Sequence, residues 1–178
     1  RLERFGRLAA WVKRSGLATL AYQTGLLGLV DRRMAVAKHV VESMPARSFR
    51  QRVQGRASAP AEGKYRVGYF VSCGFSFQYP EVAEATLRVL ERNGYAVTIL
   101  DNTCCGRPAH AYGDLEAARA IARKNVERLA SALTLDAVVS ECGSCSTHLK
   151  DYGHLLKDDP HYAPSATALA GKVRSFSE

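Results

Sequence analysis

The 178 residues are 47% apolar, enough to bury the core of one ordinary domain plus an appendage, and no run of eighteen or more apolar residues offers a membrane span. The net charge of +8 lies wholly at the front: residues 1–62 hold 12 Lys/Arg against 4 Asp/Glu, whereas the remainder holds 13 of each. Such asymmetry suits an anionic membrane face or an acidic partner protein; nucleic acid is disfavoured, because the basic residues are interleaved with apolar ones and form no recognition motif.

The chain starts at Arg1 with no n-region or h-region, so it reads as an internal piece and not as a secreted precursor. Leu2, Phe5, Leu8 and Val12 follow a helical spacing that Ser15-Gly16 interrupts, and Leu17, Leu20, Ala21 and Thr24 resume it up to Gly25. After a capping Asp31, a third stripe runs through Met34, Ala37, Val40, Val41 and Met44 until Pro45 ends it. Residues 1–44 are therefore expected to form a helical connector or docking arm, with His39 as an ordinary structural or surface histidine. Residues 45–63, polar and rich in breakers, read as a linker.

From residue 64 the pattern changes to alternating strands and helices. Arg66–Val71 reads as a buried strand that runs into Ser72-Cys73. Pro80 opens a helix whose apolar face is expected to hold Val82, Ala85, Leu87, Val89 and Leu90, with Asn93-Gly94 as its stop. Tyr95–Leu100 is a second strand, and Gly113-Asp114 caps a helix from Leu115 to about Ala132. Asp136–Ser140 is a third strand, and a last helix is expected from Thr147 to about Tyr152. Three β-loop-α units imply an α/β domain of Rossmann-like, three-layer build with a short parallel sheet, spanning residues 64–162. Residues 163–178 read as a tail.

All five cysteines fall inside this domain, as Cys73, the vicinal Cys104-Cys105, and Cys142-Gly143-Ser144-Cys145. An odd count and the absence of a secretory signal argue against a disulfide framework and for a reducing, cytoplasmic setting. Each group lies just past the carboxyl end of a strand and before a helix, the edge of an open α/β sheet where ligands bind. Soft thiolates gathered from three places suit an iron–sulfur cluster or zinc. Zinc sites of four cysteines usually use two C-x-x-C pairs, and this chain has one plus a vicinal pair. A dithiol enzyme working through Cys142 and Cys145 would leave three cysteines without a task. The expected cluster residues are Cys73, Cys104, Cys105, Cys142 and Cys145. Gly106, Arg107, Gly143, His110 and His148 stand close by in sequence as candidate surroundings, the two histidines as outer-shell donors or a replacement ligand, while His154 and His161 read as surface residues. Phe75, Phe77 and Tyr79 could shield a site from water or fill the core.

These residues resemble the cysteine-rich CCG domain of heterodisulfide reductase-like proteins. The matching stretches are Val67–Cys73, Tyr79–Val82, Cys104–Ala109, Gly113-Asp114, Ala117–Arg119, Lys124-Asn125 and Cys142–Cys145 through Leu149–Gly153. Within the family the chain is most similar to the iron–sulfur subunit of glycolate oxidase, with the iron–sulfur subunits of lactate utilisation and of anaerobic glycerol-3-phosphate dehydrogenase as close alternatives. The resemblance implies an electron-transfer module of a flavin-linked 2-hydroxyacid oxidoreductase, with a [4Fe–4S] cluster, cubane or non-cubane, on the five cysteines. Heterodisulfide-type thiol chemistry and a zinc-stabilised interaction domain are its alternatives. The implied partners are a flavoprotein dehydrogenase subunit, a ferredoxin-like domain, a second CCG domain beyond residue 178, and a contact with quinone or the inner membrane surface.

Overall fold

The computed structural model describes Ser15, residues 45–54 and residues 65–178. The expected arm, residues 1–44, thus lies outside the described residues except for Ser15, which is helical. No helix among the described residues is long and apolar enough to cross a membrane.

Four strands make one all-parallel sheet: β1 (Tyr65–Tyr69), β2 (Tyr95–Ile99), β3 (Ala137–Ser140) and β4 (Val173–Ser175), in the order β2-β1-β3-β4. Tyr65 pairs with Tyr95 across β1 and β2, Val67 with Ala137 across β1 and β3, and Val138 with Val173 across β3 and β4. The chain steps from β1 to β2 on one side and then crosses to β3 on the other. The carboxyl end of β1 is therefore a topological switch point, where diverging connections leave a crevice.

Alternation along the strands divides the core between the two faces of the sheet. Val67, Tyr69, Val71, Val97 and Val139 face one layer, where they meet Ala83, Leu87 and Leu90 of helix α3 (Pro80–Arg92). Phe70, Leu100 and Val138 face the other. That layer holds Ala118, Ala122 and Val126 of α5 (Leu115–Arg128), Leu149 of α6 (Gly143–Lys150), and Tyr152 and Leu155 of α7 (Tyr152–Leu155). The fold is the α/β, Rossmann-like one the sequence implied.

Several local expectations change. The buried stripe of α3 is Ala83, Thr86, Leu87 and Leu90, so Val82 and Val89 are exposed at 38% and 46%. Spacing i, i+3, i+4, i+7 from Ala83 makes the stripe, and the two valines sit on its solvent side. Residues 163–178 are not an extended tail: α8 (Ala163–Lys172) buries Ala166 and Leu169, and β4 completes the sheet. Gly153 lets α7 and α8 meet closely, since a Cβ there would stand 3.3 Å from the Thr167 backbone.

Part of the expected linker also belongs to the core. Helix α1 (Phe49–Arg52) is held by a capping box, in which the Ser48 hydroxyl accepts from Gln51 N–H and the Gln51 side-chain carbonyl accepts from Ser48 N–H at 3.0 Å. It inserts Phe49, fully buried, edge-on against Tyr69 at 5.9 Å. Ser48→Ala is expected to cost about 1 kcal/mol, read as a lower urea midpoint with an unchanged slope; an unchanged midpoint would mean the cap contributes nothing here.

Candidate iron–sulfur site

Each cysteine group sits where a strand hands over to a helix. Cys73 is the first residue of α2 (Cys73–Phe77), after β1. Cys104 and Cys105 precede α4 (Arg107–Ala111), whose N-cap is Gly106, after β2. Cys142 is the N-cap of α6, after β3, and Cys145 lies in its first turn. The short helices α2 and α4, and the early start of α6 at Gly143, were not expected from the periodicity. They matter because the first N–H groups of a helix have no partner within it and suit anionic ligands. Gly106 N–H reaches Cys104 Sγ at 3.5 Å, Arg107 N–H reaches the Cys105 sulfur, and Ser144 and Cys145 N–H reach that of Cys142.

The five thiols, none in a disulfide, make a continuous string of sulfur contacts in the order Cys73, Cys104, Cys105, Cys145, Cys142. Donors and acceptors alternate along it. Hydrogen bonds from Cys105 and Cys73 hold the Cys104 thiol pKa down at about 2, and a hydrogen bond from Cys105 lowers that of Cys145. Conversely, donation to Cys104 raises Cys73 and Cys105, and burial raises Cys142. The surroundings of Cys104 and Cys145 thus favour the thiolate, which is the form a metal takes up. Cys105 and Cys145 are buried, Cys104 and Cys142 half-buried, and Cys73 is exposed at one end.

A frame of buried polar groups fixes these loops, and spacing alone gives no sign of it. Asn125, fully buried on α5, accepts from Thr103 N–H and Thr103 Oγ1, both at 2.9 Å, and donates to Cys104 C=O at 2.8 Å and to Tyr152 OH at 2.9 Å. Tyr152 OH donates in turn to Cys105 C=O at 2.7 Å. Asn102 bridges from β2 to β1, donating to Val71 C=O and accepting from Val71 N–H, and its oxygen also receives Arg50 at 2.7 Å. Glu141 ties the end of β3 to the end of β1 by accepting from both Ser72 N–H and Ser72 Oγ at 3.1 Å, and burial pushes its carboxyl pKa up.

The other candidates divide. Gly106 is buried at φ +89°, where a Cβ would also meet Ile121 at 3.3 Å. Gly106→Ala is expected to cost about 2 kcal/mol from the left-handed backbone, seen as a lower thermal midpoint; wild-type stability would show that the loop relaxes freely. Gly143 has open space around it, so its site demands no glycine. Arg107 is exposed. His110 and His148 come together, Nδ1 to Nδ1 at 3.4 Å, and His148 is 1% exposed. His154 and His161 are exposed, as expected. Phe75 packs on the core while Tyr79 is 54% exposed, and the two rings lie 6.4 Å apart.

An α/β domain with a vicinal cysteine pair and a C-x-x-C brought to one sheet edge defines a class, and residues 67–150 match the cysteine-rich domain family CCG. This segment, a little under half of the chain, is similar to that family. It is 30% identical over 169 residues to the probable glycolate oxidase iron-sulfur subunit of Bacillus subtilis, covering 93% of this chain and 37% of that protein. It is 38% identical over 113 residues to lactate utilization protein A of an Exiguobacterium species, covering 63% of this chain and 46% of that one, and 35% identical over 114 residues to the protein of that name in Geobacillus kaustophilus, with 64% and 46% covered. The chain therefore spans less than half the length of these relatives. No solved structure matches it.

Proposed function

We propose that this chain is the cysteine-rich electron-transfer module of an iron–sulfur subunit in a flavin-linked 2-hydroxyacid oxidoreductase of the glycolate or lactate type. Cys73, Cys104, Cys105, Cys142 and Cys145 hold the cluster, of the [4Fe–4S] class. Once bound, such a cluster takes up and passes on single electrons.

The observation that carries this reading is the string of five sulfurs with alternating donors and acceptors at the switch point of the sheet. A tetrahedral zinc at about 2.3 Å from each sulfur would need the thiols about 3.8 Å apart in every pair. Among the described residues no three thiols gather as tightly as the His110, His148 and Asp151 ligand atoms, all within 4.8 Å of one another. A drawn-out string suits a multinuclear centre better. Helix N–H groups on the sulfurs favour the anionic form, and the Asn125–Tyr152 frame keeps the central pair in place. The names of the relatives support the iron–sulfur assignment and the two candidate substrate types. On this reading the protein works in the cytoplasm or at the inner membrane face, beside a flavoprotein subunit, a ferredoxin-like domain and a second CCG domain.

The test is protein purified without oxygen, examined by ultraviolet–visible absorption together with iron, sulfide and zinc assays. Broad visible absorption with bound iron and sulfide is expected. A colourless zinc protein would replace this reading with a structural zinc domain, and a colourless metal-free dithiol with thiol–disulfide chemistry.

A further inference from the structure

Beside the sulfur string stand three side chains, none of them a thiol, whose ligand atoms gather within 4.8 Å of one another: His110, His148 and Asp151. His110 comes from α4; His148 lies in the last turn of α6, and Asp151 is the residue that ends that helix. A separation of three residues puts His148 and Asp151 on one helix face, turned toward His110.

The two imidazoles meet in an unusual way. Their Nδ1 atoms face each other at 3.4 Å, with the rings tilted by 45° and their centroids 5.1 Å apart. As a hydrogen bond this needs one nitrogen to carry the proton, and 3.4 Å is long for it. The spacing of the two imidazoles is that of neighbouring metal ligands, and the Asp151 carboxylate, within 4.8 Å, has only to close in on the ion. Two nitrogens at about 2.0–2.1 Å from a tetrahedral zinc stand about 3.3–3.4 Å apart, whereas cis positions of an octahedron with the same bond lengths give about 2.9 Å.

His148 adds an independent sign. It is 1% exposed, with its ring edge-on to Tyr152 at 5.7 Å, and its Nε2 is buried with no hydrogen-bond partner. That nitrogen lies 3.5 Å from where a Cβ on Gly106 would be, so it faces the loop that carries Cys104 and Cys105. A metal on Nδ1 fixes the tautomer with its proton on Nε2, which then points a donor at that loop.

We propose that His110 Nδ1, His148 Nδ1 and the Asp151 carboxylate form a mononuclear site for a divalent transition-metal ion of the Zn2+ type, with one position left open. Three protein ligands and an open position are the pattern of a site that holds water or an exchangeable ligand. The site needs none of the five thiols, so it does not depend on what they bind.

The full chain, purified anaerobically as isolated, is titrated with Co2+ as a spectroscopic stand-in for Zn2+, and zinc retention after desalting is measured alongside iron. The expected result is a single equivalent of Co2+ whose visible bands lack sulfur-to-cobalt charge transfer. His110→Ala and Asp151→Asn, both at half-exposed positions, should each weaken binding at least about tenfold. Neither should change iron content or the unfolding midpoint of protein free of added metal. Added Zn2+ should raise that midpoint in the parent and not in the variants. Absence of binding, cobalt bands showing only thiolate ligation, or undiminished retention in both variants would overturn the proposal.

Discussion

Cys104→Ser and Cys105→Ser, each prepared anaerobically in the full-length protein, are expected to lose the iron and sulfide held by this domain and to cut electron transfer by at least about a hundredfold. Any ferredoxin-type clusters elsewhere in the protein should persist. The pair occupies the middle of the sulfur string: Cys104 contacts Cys73 and Cys105, and Cys105 contacts Cys104 and Cys145. Removing either therefore separates the groups contributed by β1 and β3. Five thiols exceed the four that one cubane needs, so one end of the string, the exposed Cys73 or the half-buried Cys142, is expected to tolerate serine better than the centre. Unchanged iron content and turnover in both central variants would sink the cluster assignment.

Asn125→Leu is expected to be strongly destabilising. The side chain is fully buried and makes four hydrogen bonds, to Thr103 N–H, Thr103 Oγ1, Cys104 C=O and Tyr152 OH. Leucine is similar in size but leaves those partners unsatisfied, each at about 1–3 kcal/mol, so a loss of about 3–5 kcal/mol is expected even with Tyr152 still bonded to Cys105 C=O. Asn125→Asp keeps acceptors for Thr103 but sets a second oxygen against Cys104 C=O, so it should be destabilising too. Urea unfolding of the metal-free protein measures the stability, and iron retention in the reconstituted protein reads the loop. A loss below about 1 kcal/mol for Asn125→Leu would show that the loop holds its shape without the clamp.

The long elements were legible because their patterns repeat. β1, β2 and β3 are short apolar runs, and α3 and α5 carry stripes with recognisable starts at Pro80 and Asp114. What escaped was whatever is too short to repeat. Helices α2 and α4 have five residues each, and β4 has three, of which Val173 is the only buried one. Phe49, flanked by Arg47, Arg50 and Arg52, looks like one apolar residue in a polar linker, and only its partner Tyr69 reveals its place. The five cysteines stood out as chemistry, because three parallel strands each ending in a thiol deliver soft ligands to one edge of the sheet. Asn125, Tyr152 and Glu141 did not: an asparagine inside a helix carries no period, and its meaning arises only when tertiary contacts bring Cys104 and Thr103 to it.

The sheet order β2-β1-β3-β4 also sets a timetable for maturation. β1, the first strand among the described residues, is an interior one, and Cys73 just past its end has its last partners about seventy residues downstream. A chain emerging from the ribosome can bring Cys73 beside Cys104 once β2 has docked, yet Cys142 and Cys145 arrive only when β3 inserts on the far side of β1. Completion of the five-thiol edge is thus a late event, gated by a non-local strand pairing of the slow-forming kind. Until then the nascent domain carries Cys73, Cys104 and Cys105 at an unfinished edge, a window in which oxygen or a stray soft metal can divert it. Cells making this protein would benefit from pacing synthesis, or from a chaperone that shields the half-built edge until Cys145 is in place.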